Sequence, residues 1–235
     1  TGVQSCALPI SGDGLVQPLP WDWDFLFNRA TNSALWGNRN FSKIPARPVF
    51  TRLFHGHLHN LINTTYNTTY MERWLTHYGS VAGENYSGRA NYIRDRSNFV
   101  LGQLPPQRSF SITTNGGNPF SVDTPVAILS GDAWIDVRQI RVNGSPEPVT
   151  PVWIDADTWE LGVPVEPGEN AIALAAIDYQ GNEIASDTIS ITSTSTVAPA
   201  SSSNLVISEI MYHPAGESPH EFIELTNISP GNTVD

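Results

Sequence analysis

Two consecutive prolines, Pro105 and Pro106, divide the chain into parts with different sequence patterns. Proline cannot continue a helix, because it lacks an N–H group and its ring clashes with the preceding turn. Before the prolines, apolar residues recur every three or four positions, which is typical of helices. After them, short stretches rich in β-branched residues alternate with Asn-Gly and Pro-Gly turns, which is typical of strands. The sequence therefore predicts an α+β chain of several domains, with a helical part followed by all-β parts.

The charge of the chain changes at nearly the same place. Up to residue 110, ten basic and six acidic side chains give a charge of +4, whereas beyond it two basic and seventeen acidic side chains give −15. Such an asymmetry is typical of separate modules. The net charge of −11 argues against nucleic-acid binding. The longest apolar run, residues 171–177, is far shorter than a membrane span, and one cysteine allows no internal disulfide.

Three helices are predicted in the first part. Apolar residues at helical spacing begin after Pro48, a threonine followed by Glu72 is typical of a second helix start, and the prolines end a third helix. The first helix is predicted to start at Pro48, and the second after Asn67-Thr68-Thr69 with Thr68 or Thr69 as its cap. The third is predicted to run from Tyr86 or Ser87 to Leu104.

Six strands are predicted in the second part, which favours a β-sandwich. A Ser/Thr/Ala-rich stretch at 193–203 contains too few apolar residues to pack and is interpreted as a flexible linker. Two further strands then begin a new module. The predicted strands are 109–114, 125–129, 135–142, 159–165, 171–177 and 188–192, followed by 205–211 and 221–227.

The strongest candidate site is the pair Asp22 and Asp24 in the run Trp21-Asp22-Trp23-Asp24. In a strand, residues two apart face the same side with their Cα atoms about 6.6 Å apart. Two such carboxylates suit a hard cation that also binds phosphate oxygens, or an acid/base pair for sugar hydrolysis. The alternative is that Asp22 caps a turn and Asp24 starts a loop.

Two weaker candidates lie on the predicted helices. His55 and His59 share a helix face and are two possible zinc ligands, but no third ligand or HExxH acid accompanies them, which favours exposed histidines. Arg94 and Arg96 are either phosphate clamps or, as we prefer, ion-pair partners.

The remaining candidates are carboxylates in the β part. Asp132, Asp136, Asp155 and Asp157 are possible calcium ligands at a strand end, but their spacing fits no standard calcium loop. Glu209, Glu221 and Glu224 are possible cation ligands in the last module. For both groups a solvated acidic surface is the preferred interpretation.

The segment from Leu19 to Phe27 resembles the PWD-x-D-x-x-F segment of the CotH kinase family, spore-coat-protein-H-like proteins with an atypical kinase fold. Further on, Tyr92-Ile93-Arg94-Asp95-Arg96 and Val100-Leu101-Gly102-Gln103-Leu104 are similar to the "YI-x-x-R" and "v-x-x-Q-L" segments near the end of that domain. The resemblance covers residues 15–106. It implies that Asp22 and Asp24 bind Mg²⁺ or Mn²⁺ together with ATP, and that the intact parent phosphorylates Ser/Thr of an unknown acceptor protein.

The resemblance also implies that the family's nucleotide-covering loop, phosphate-contacting basic residue and catalytic Asp lie upstream of this segment. Phosphoryl transfer requires nucleotide, metal and acceptor to be positioned together. We therefore expect this chain alone to be inactive, with no catalytic residue and no bound cofactor of its own.

Two further resemblances concern the β part. Residues 120–192 are similar to bacterial immunoglobulin-like repeats, through Ile140-Arg141-Val142-Asn143-Gly144 and Asp178-Tyr179-Gln180-Gly181-Asn182. The runs ISEIMYHP from Ile207 and EFIELTN from Glu221 resemble the opening of a lamin-tail domain, a β-sandwich of which only the first two strands are expected here.

The first ten residues, TGVQSCALPI, resemble the translated read-through of a common sequencing adapter and differ from it only at Ser5. In that interpretation Cys6 is not a natural residue. The alternative is a short N-terminal strand. The predicted organisation is an adapter-derived segment at 1–10, the end of a CotH-like kinase domain at 11–106, an Ig-like sandwich at 107–192, the linker at 193–203 and a truncated lamin-tail domain at 204–235.

The functional expectation is a fragment of a secreted or cell-surface bacterial protein whose parent is a kinase. The main alternative is a non-enzymatic surface or adhesion protein, in which the kinase-like part is degenerate and the β domains bind a cell-surface or matrix partner. A weaker alternative is a glycosidase that uses the Asp22–Asp24 pair.

Overall fold

The structure of the protein is a computed structural model. It describes residues 27–36, 43, 47–212, 221–229 and 233–234, together with the backbone of 6–9 and 16–19. The chain divides into two compact units, 1–107 and 108–235, so the division lies next to the two prolines. None of the described helices is long and apolar enough to cross a membrane.

The first unit contains a short hairpin and three helices. Strand β1 (Cys6–Pro9) pairs antiparallel with β2 (Val16–Leu19). The strand that was the alternative for residues 1–10 is therefore present, and their adapter origin stays a prediction. The helices are α1 (Pro48–Thr64), α2 (Thr68–Ala82) and α3 (Ser87–Leu101).

The three helices start close to the predicted positions. Two details differ from the prediction, namely the N-terminal cap of α2 and the last residue of α3. Pro48 occupies the first turn of α1, where its missing N–H is not needed. The cap of α2 is Asn67, whose Oδ1 accepts from the N–H of Tyr70 at 2.9 Å, and not a threonine. Helix α3 ends at Leu101 rather than Leu104, because the N–H groups of Gln103 and Leu104 donate to carbonyls three residues back instead of four.

The three helices share a small core. Among the described residues of this unit, the buried aliphatic side chains are Ile62, Ile93 and Val100, of which Ile93 is fully buried. Helix α1 buries Arg52 and Gly56 together with Ile62, while four of its large apolar side chains are exposed. The large apolar side chains that these helices leave exposed are Val49, Phe50, Leu53, Leu61, Tyr70, Tyr78, Val81 and Leu101. The helical unit therefore has apolar surface that its own helices do not cover.

The second unit contains a β-sandwich of two four-stranded sheets, which confirms the predicted sandwich. One sheet has the order β3-β5-β8-β7 and the other β4-β10-β9-β6, with β4 parallel to β10 and the other neighbours antiparallel. The strands are β3 (Ser111–Ile112), β4 (Phe120–Val122), β5 (Val126–Asp132), β6 (Gln139–Val142), β7 (Val152–Trp153), β8 (Thr158–Pro164), β9 (Gly168–Ile177) and β10 (Glu183–Ser193).

The sandwich has eight strands where the sequence predicts six. Strands β4 and β7 have only three and two residues, too few for a pattern of alternation. Strand β6 begins at Gln139 rather than at 135, because the N–H of Val137 turns back to the carbonyl of Trp134. The predicted Asn143-Gly144 turn is confirmed, and both residues have the positive φ that this turn type requires.

Inward-facing side chains of both sheets form one core. Trp159 is fully buried, stacks on Phe110 with ring centroids 5.7 Å apart, and donates from Nε1 to the carbonyl of Asp132 at 3.1 Å. The aliphatic core comes from both sheets, with Leu129 and Val163 on one and Ile172, Leu174, Ile189 and Ile191 on the other. A core of this size is what an independent domain requires.

The segment predicted as a flexible linker is hydrogen-bonded in the structure. Strand β10 continues to Ser193, and the N–H of Thr194 donates to the carbonyl of Val122 at 2.8 Å. Asn204 is buried and its Nδ2 donates to the carbonyl of Pro199 at 2.9 Å. Side-chain hydrogen bonds, which a count of apolar residues does not reveal, therefore fix parts of this segment.

The last element is a hairpin of β11 (Leu205–Met211) and β12 (Phe222–Asn227) with an irregularity between Ile207 and Glu209. Its two strands agree with the predicted ones. The exposed aliphatic side chains of this hairpin are Ile207, Ile210, Ile223 and Leu225. The lamin-tail interpretation of these two strands stays a prediction.

Candidate functional site

Asp22 and Asp24 lie outside the described residues, so the metal interpretation of this pair stays a prediction. The chain is described again from Phe27, three residues after Asp24. The described segment 27–36 contacts helix α3, and Trp36 at its end contacts Phe54 of α1, with ring centroids 4.1 Å apart. The structure therefore shows what holds the chain immediately after the candidate motif.

Three residues of α3 hold this segment. Arg96 donates from Nη1 to the carbonyl of Thr31 at 3.0 Å and to the carbonyl of Ser33. The rings of Tyr92 and Phe27 meet edge to face with centroids 5.4 Å apart. The guanidinium of Arg89 lies over the Phe27 ring, 5.2 Å from its centroid. These contacts join residues more than 60 positions apart in the sequence.

Arg94 and Arg96 have different roles, although the sequence places them together. Arg94 is exposed and pairs with its neighbour Asp95 at 3.0 Å, as predicted for an ion-pair partner. Arg96 is half-buried and binds backbone carbonyls, and it forms no ion pair within the part of the chain that the structure describes. Burial raises the pKa of Tyr66, Tyr92 raises it further, and the nearby charge of Arg96 opposes this shift.

Among the described residues, the histidines of α1 have no further ligands with which they could form a zinc centre. His55 is half-buried, and this burial lowers its pKa. The Nε2 atom of His59 lies 2.8 Å from Nδ2 of Asn63, one helical turn further on. Within the described part of the chain, no group of three or more His, Cys, Asp and Glu side chains could hold a metal ion.

The carboxylates at one end of the sandwich are engaged by the protein. Oδ1 of Asp155 accepts from the N–H groups of Asp157 at 2.9 Å and Thr158 at 2.8 Å, and these bonds lower the pKa of Asp155. Burial raises the pKa of Asp157, and the neighbouring Asp155 carboxylate raises it further. Arg108 pairs with Asp157 and approaches Asp132 at 4.0 Å.

This arrangement corrects the interpretation of these carboxylates. Asp132, Asp155 and Asp157, with Asp136, are not brought together as a group that could hold calcium. They are not simply solvated either, because Asp155 closes a turn between β7 and β8 and Arg108 neutralises part of the charge. The sequence contains a signal for the ion pair of Arg108, because Arg108 is the last basic residue before the acidic part of the chain.

The three candidate glutamates of the hairpin do not come together as cation ligands among the described residues. Oε1 of Glu224 accepts from the hydroxyl of Ser208 at 2.6 Å, and the hydroxyl of Thr226 donates to Ser208 at 2.9 Å. Glu209 and Glu221 are exposed. Among the described residues these three glutamates form no group that could hold a metal.

A cavity of about 650 Å³ lies between the end of α1, the start of α2 and α3. Its walls carry amide and hydroxyl groups and one guanidinium, that of Arg94. No sequence pattern points to it, because its walls come from three helices. The side chains that line it include Asn63, Asn67, Thr68, Thr69, Arg94 and Asn98.

Comparison with known proteins gives only distant likenesses. No family model matches the chain, and no characterised protein matches it in sequence. Among solved structures, the fibronectin(III)-like modules of Clostridium thermocellum CbhA are 12% identical with a TM-score of 0.28, over 37% of this chain and 96% of that one. The endo-beta-1,4-mannanase of Thermotoga petrophila is 12% identical with a TM-score of 0.29, over 46% of this chain and 25% of that one. These likenesses are too weak to carry an argument about function or family.

Proposed function

We propose that this chain is a piece of a secreted or cell-surface bacterial protein of the CotH kinase type. In the parent, the helical unit belongs to a domain that transfers phosphate from ATP to Ser/Thr of another protein. Asp22 and Asp24 hold the Mg²⁺ or Mn²⁺ that accompanies ATP. The β-sandwich is a spacer, the C-terminal hairpin begins a lamin-tail domain, and the chain by itself has no kinase activity.

The observation that carries this proposal is the uncovered apolar surface of the helices. Phe50 is 54% exposed and Leu53 is 50% exposed on α1, whereas the charged Arg52 of the same helix is buried. A helix of an independent domain turns its apolar side inward. These exposed apolar side chains, which no other described residue of the unit covers, support the view that the helices belong to a larger domain, as the kinase interpretation requires.

The test is a longer form of the protein that continues upstream of Ser11 in the natural gene. We expect this form to transfer labelled γ-phosphate from ATP to a protein, and the 235-residue chain to transfer none. Asp22→Asn and Asp24→Asn should abolish the transfer, because phosphoryl transfer depends on the metal that bridges the phosphates. Asp13→Asn is the matched control. Labelling by the 235-residue chain, or full activity of both motif variants, would contradict the proposal.

The alternative is an adhesion protein, and one feature of the sandwich favours it. Val126 and Ile128 of β5 and Val152 of β7 point outward from the same sheet, and Ile128 is 58% exposed. Such aliphatic surface is typical of interaction sites. In this case Ile128→Asp should reduce binding of the chain to bacterial cell surfaces, whereas Thr188→Asp on the other sheet should not.

A further inference from the structure

The eight residues from Asn63 to Tyr70 consist of the run Asn-Thr-Thr-Tyr written twice. The first copy spans the end of α1 and the second begins beside the start of α2. Six of the eight residues line the cavity of about 650 Å³ between the three helices, and most of the remaining wall comes from α3. The repeat therefore gathers amide and hydroxyl side chains at one place on the helical unit.

The polar side chains of the cavity fall into two groups. Asn67 supports the fold, because its Nδ2 donates to the carbonyl of Ile62 at 2.9 Å and its Oδ1 caps α2. In contrast, the hydroxyls of Thr68 and Thr69 and the side-chain amide of Asn98 have no hydrogen-bond partner in the part of the chain that the structure describes. A ligand can therefore bind these three side chains without breaking a bond of the fold.

Among the described residues that line the cavity, Arg94 has the one charged side chain, and that side chain is already paired. Its Nε and Nη2 atoms each lie 3.0 Å from Oδ1 of Asp95, and its Nη1 donates to Oδ1 of Asn91 at 3.0 Å. A phosphate or carboxylate ligand would have to displace the Asp95 carboxylate and lie beside it, and like charges repel at such distances. The wall therefore favours a ligand without charge.

We propose that this cavity binds a neutral oligosaccharide. Sugar hydroxyls both donate and accept hydrogen bonds, as do the threonine hydroxyls and asparagine amides of the wall. Tyr70 is 42% exposed and Leu101 is 39% exposed, and they provide apolar surface for the C–H groups of a sugar ring. The volume lies within the roughly 300–1,000 Å³ that is usual for small-molecule sites. This inference goes beyond the proposed function and does not rest on it.

The first test adds cellohexaose, xylohexaose or chitohexaose to the 235-residue protein and follows the backbone amide signals by NMR. We expect at least one of these neutral sugars to bind with a Kd of about 1 mM, because an open site with few hydrogen bonds binds weakly. The amides that shift should cluster in residues 63–70 and 94–101. Since the ligand is uncharged, raising the NaCl concentration to about 0.5 M should leave the affinity unchanged.

The second test removes single hydrogen-bonding groups from the wall. Thr69→Ala and Asn98→Ala should each weaken the binding of that sugar by about 3- to 10-fold, which corresponds to one lost hydrogen bond. Thr76→Ala is the matched control, because Thr76 is also an exposed threonine of α2 but lines a different cavity of about 340 Å³. Circular dichroism should show the same helix content in all three variants. If Asn98→Ala does not fold, Thr69→Ala decides the test.

Several results would overturn the sugar site. They are a lack of binding by all three sugars at about 10 mM, amide shifts confined to another part of the chain, wild-type affinity in both wall variants, and equally tight binding of hexaglycine. Binding of inorganic phosphate in place of the sugars would assign the cavity to anions instead. None of these results bears on the kinase proposal, because Phe50 and Leu53, on which that proposal rests, do not line the cavity.

Discussion

The indole of Trp159 lies so close to Gly131 that a β-carbon on residue 131 would stand 2.2 Å from Cζ2 of the ring. The two residues are direct partners on the neighbouring strands β5 and β8. The same β-carbon would be 2.1 Å from the carbonyl oxygen of Ser111 on β3. The absence of a side chain on β5 thus makes room for the largest side chain of the core, between three strands of one sheet.

Gly131→Ala should therefore destabilise the sandwich strongly. The added methyl group meets a backbone carbonyl and a buried ring, neither of which can move without repacking the core, so we expect a loss of about 3 kcal/mol or more. Gly162→Ala is the control, because a β-carbon there would be 3.4 Å from Val126, and it should cost less than about 1 kcal/mol. Urea unfolding followed by exchange of the β5 and β8 amides measures both, and similar midpoints for the two variants would contradict the prediction.

Local patterns predicted the elements that depend on neighbouring residues. Helix α1 starts at Pro48, as its first-turn proline and the spacing after it predict. The sequence predicts a threonine as the cap of α2, but the cap is Asn67, because asparagine and threonine side chains can both accept this kind of hydrogen bond. Choosing among them needs the path of the incoming chain, which local sequence does not contain.

Relationships between distant residues could not be predicted in the same way. Strand β4 exists because Phe120 pairs in parallel with Ile191, which lies 71 positions away, and three residues alone carry no periodicity. The role of Arg96 depends on Thr31 and Ser33, and its sequence neighbours suggested an ion pair. Gly131 could not be distinguished from an ordinary strand glycine until its partner Trp159 was known.

Asp178 should make the stability of the sandwich depend on pH. Burial acts to raise its pKa, but hydrogen bonds from the side chain and backbone of Asn182 and from the N–H groups of Gln180 and Gly181 outweigh it and lower the pKa. A lowered folded-state pKa adds stability above the unfolded-state pKa of ~4, which is lost as the pH falls through the folded-state value. Since this group closes the turn between β9 and β10, the effect should appear in both strands.

Asp178→Asn tests this effect because asparagine keeps the acceptor and removes the charge. We expect the variant to be less stable than wild type by about 1 kcal/mol at pH 7, with the difference shrinking as the pH falls below 4. The measurement is urea unfolding at a series of pH values, followed by exchange of the β9 and β10 amides. A difference that stayed constant from pH 7 to pH 3 would contradict the assignment.

Asp155 should stabilise the turn between β7 and β8 through its hydrogen bonds and should not bind calcium. Asp155→Ala removes the acceptor of two N–H groups and should lower the unfolding free energy by about 1–2 kcal/mol. Millimolar Ca²⁺ should shift the urea midpoint of the wild-type protein no more than Mg²⁺ does. A stabilisation by Ca²⁺ alone that is lost in Asp155→Ala would restore the calcium interpretation.

The helical unit should unfold before the sandwich. Its described residues include three buried aliphatic side chains, whereas the sandwich core joins fifteen buried residues. The burial of apolar area is the main stabilising contribution to folding, so the smaller core should give way at a lower denaturant concentration. Exchange of the α3 amides should therefore rise at a urea concentration where the β9 amides are still protected.

A pair of core substitutions separates the two transitions. Ile93 and Leu174 are both fully buried, one in each unit. Replacing either by alanine removes several methyl and methylene groups and should cost about 2–5 kcal/mol in its own unit. Ile93→Ala should lower the midpoint of the α3 amides and leave β9 unchanged, and Leu174→Ala should lower the midpoint of β9. The chain passes from one unit to the other after Gln107. A single transition that shifts as a whole in both variants would contradict the prediction and show that the two units unfold together.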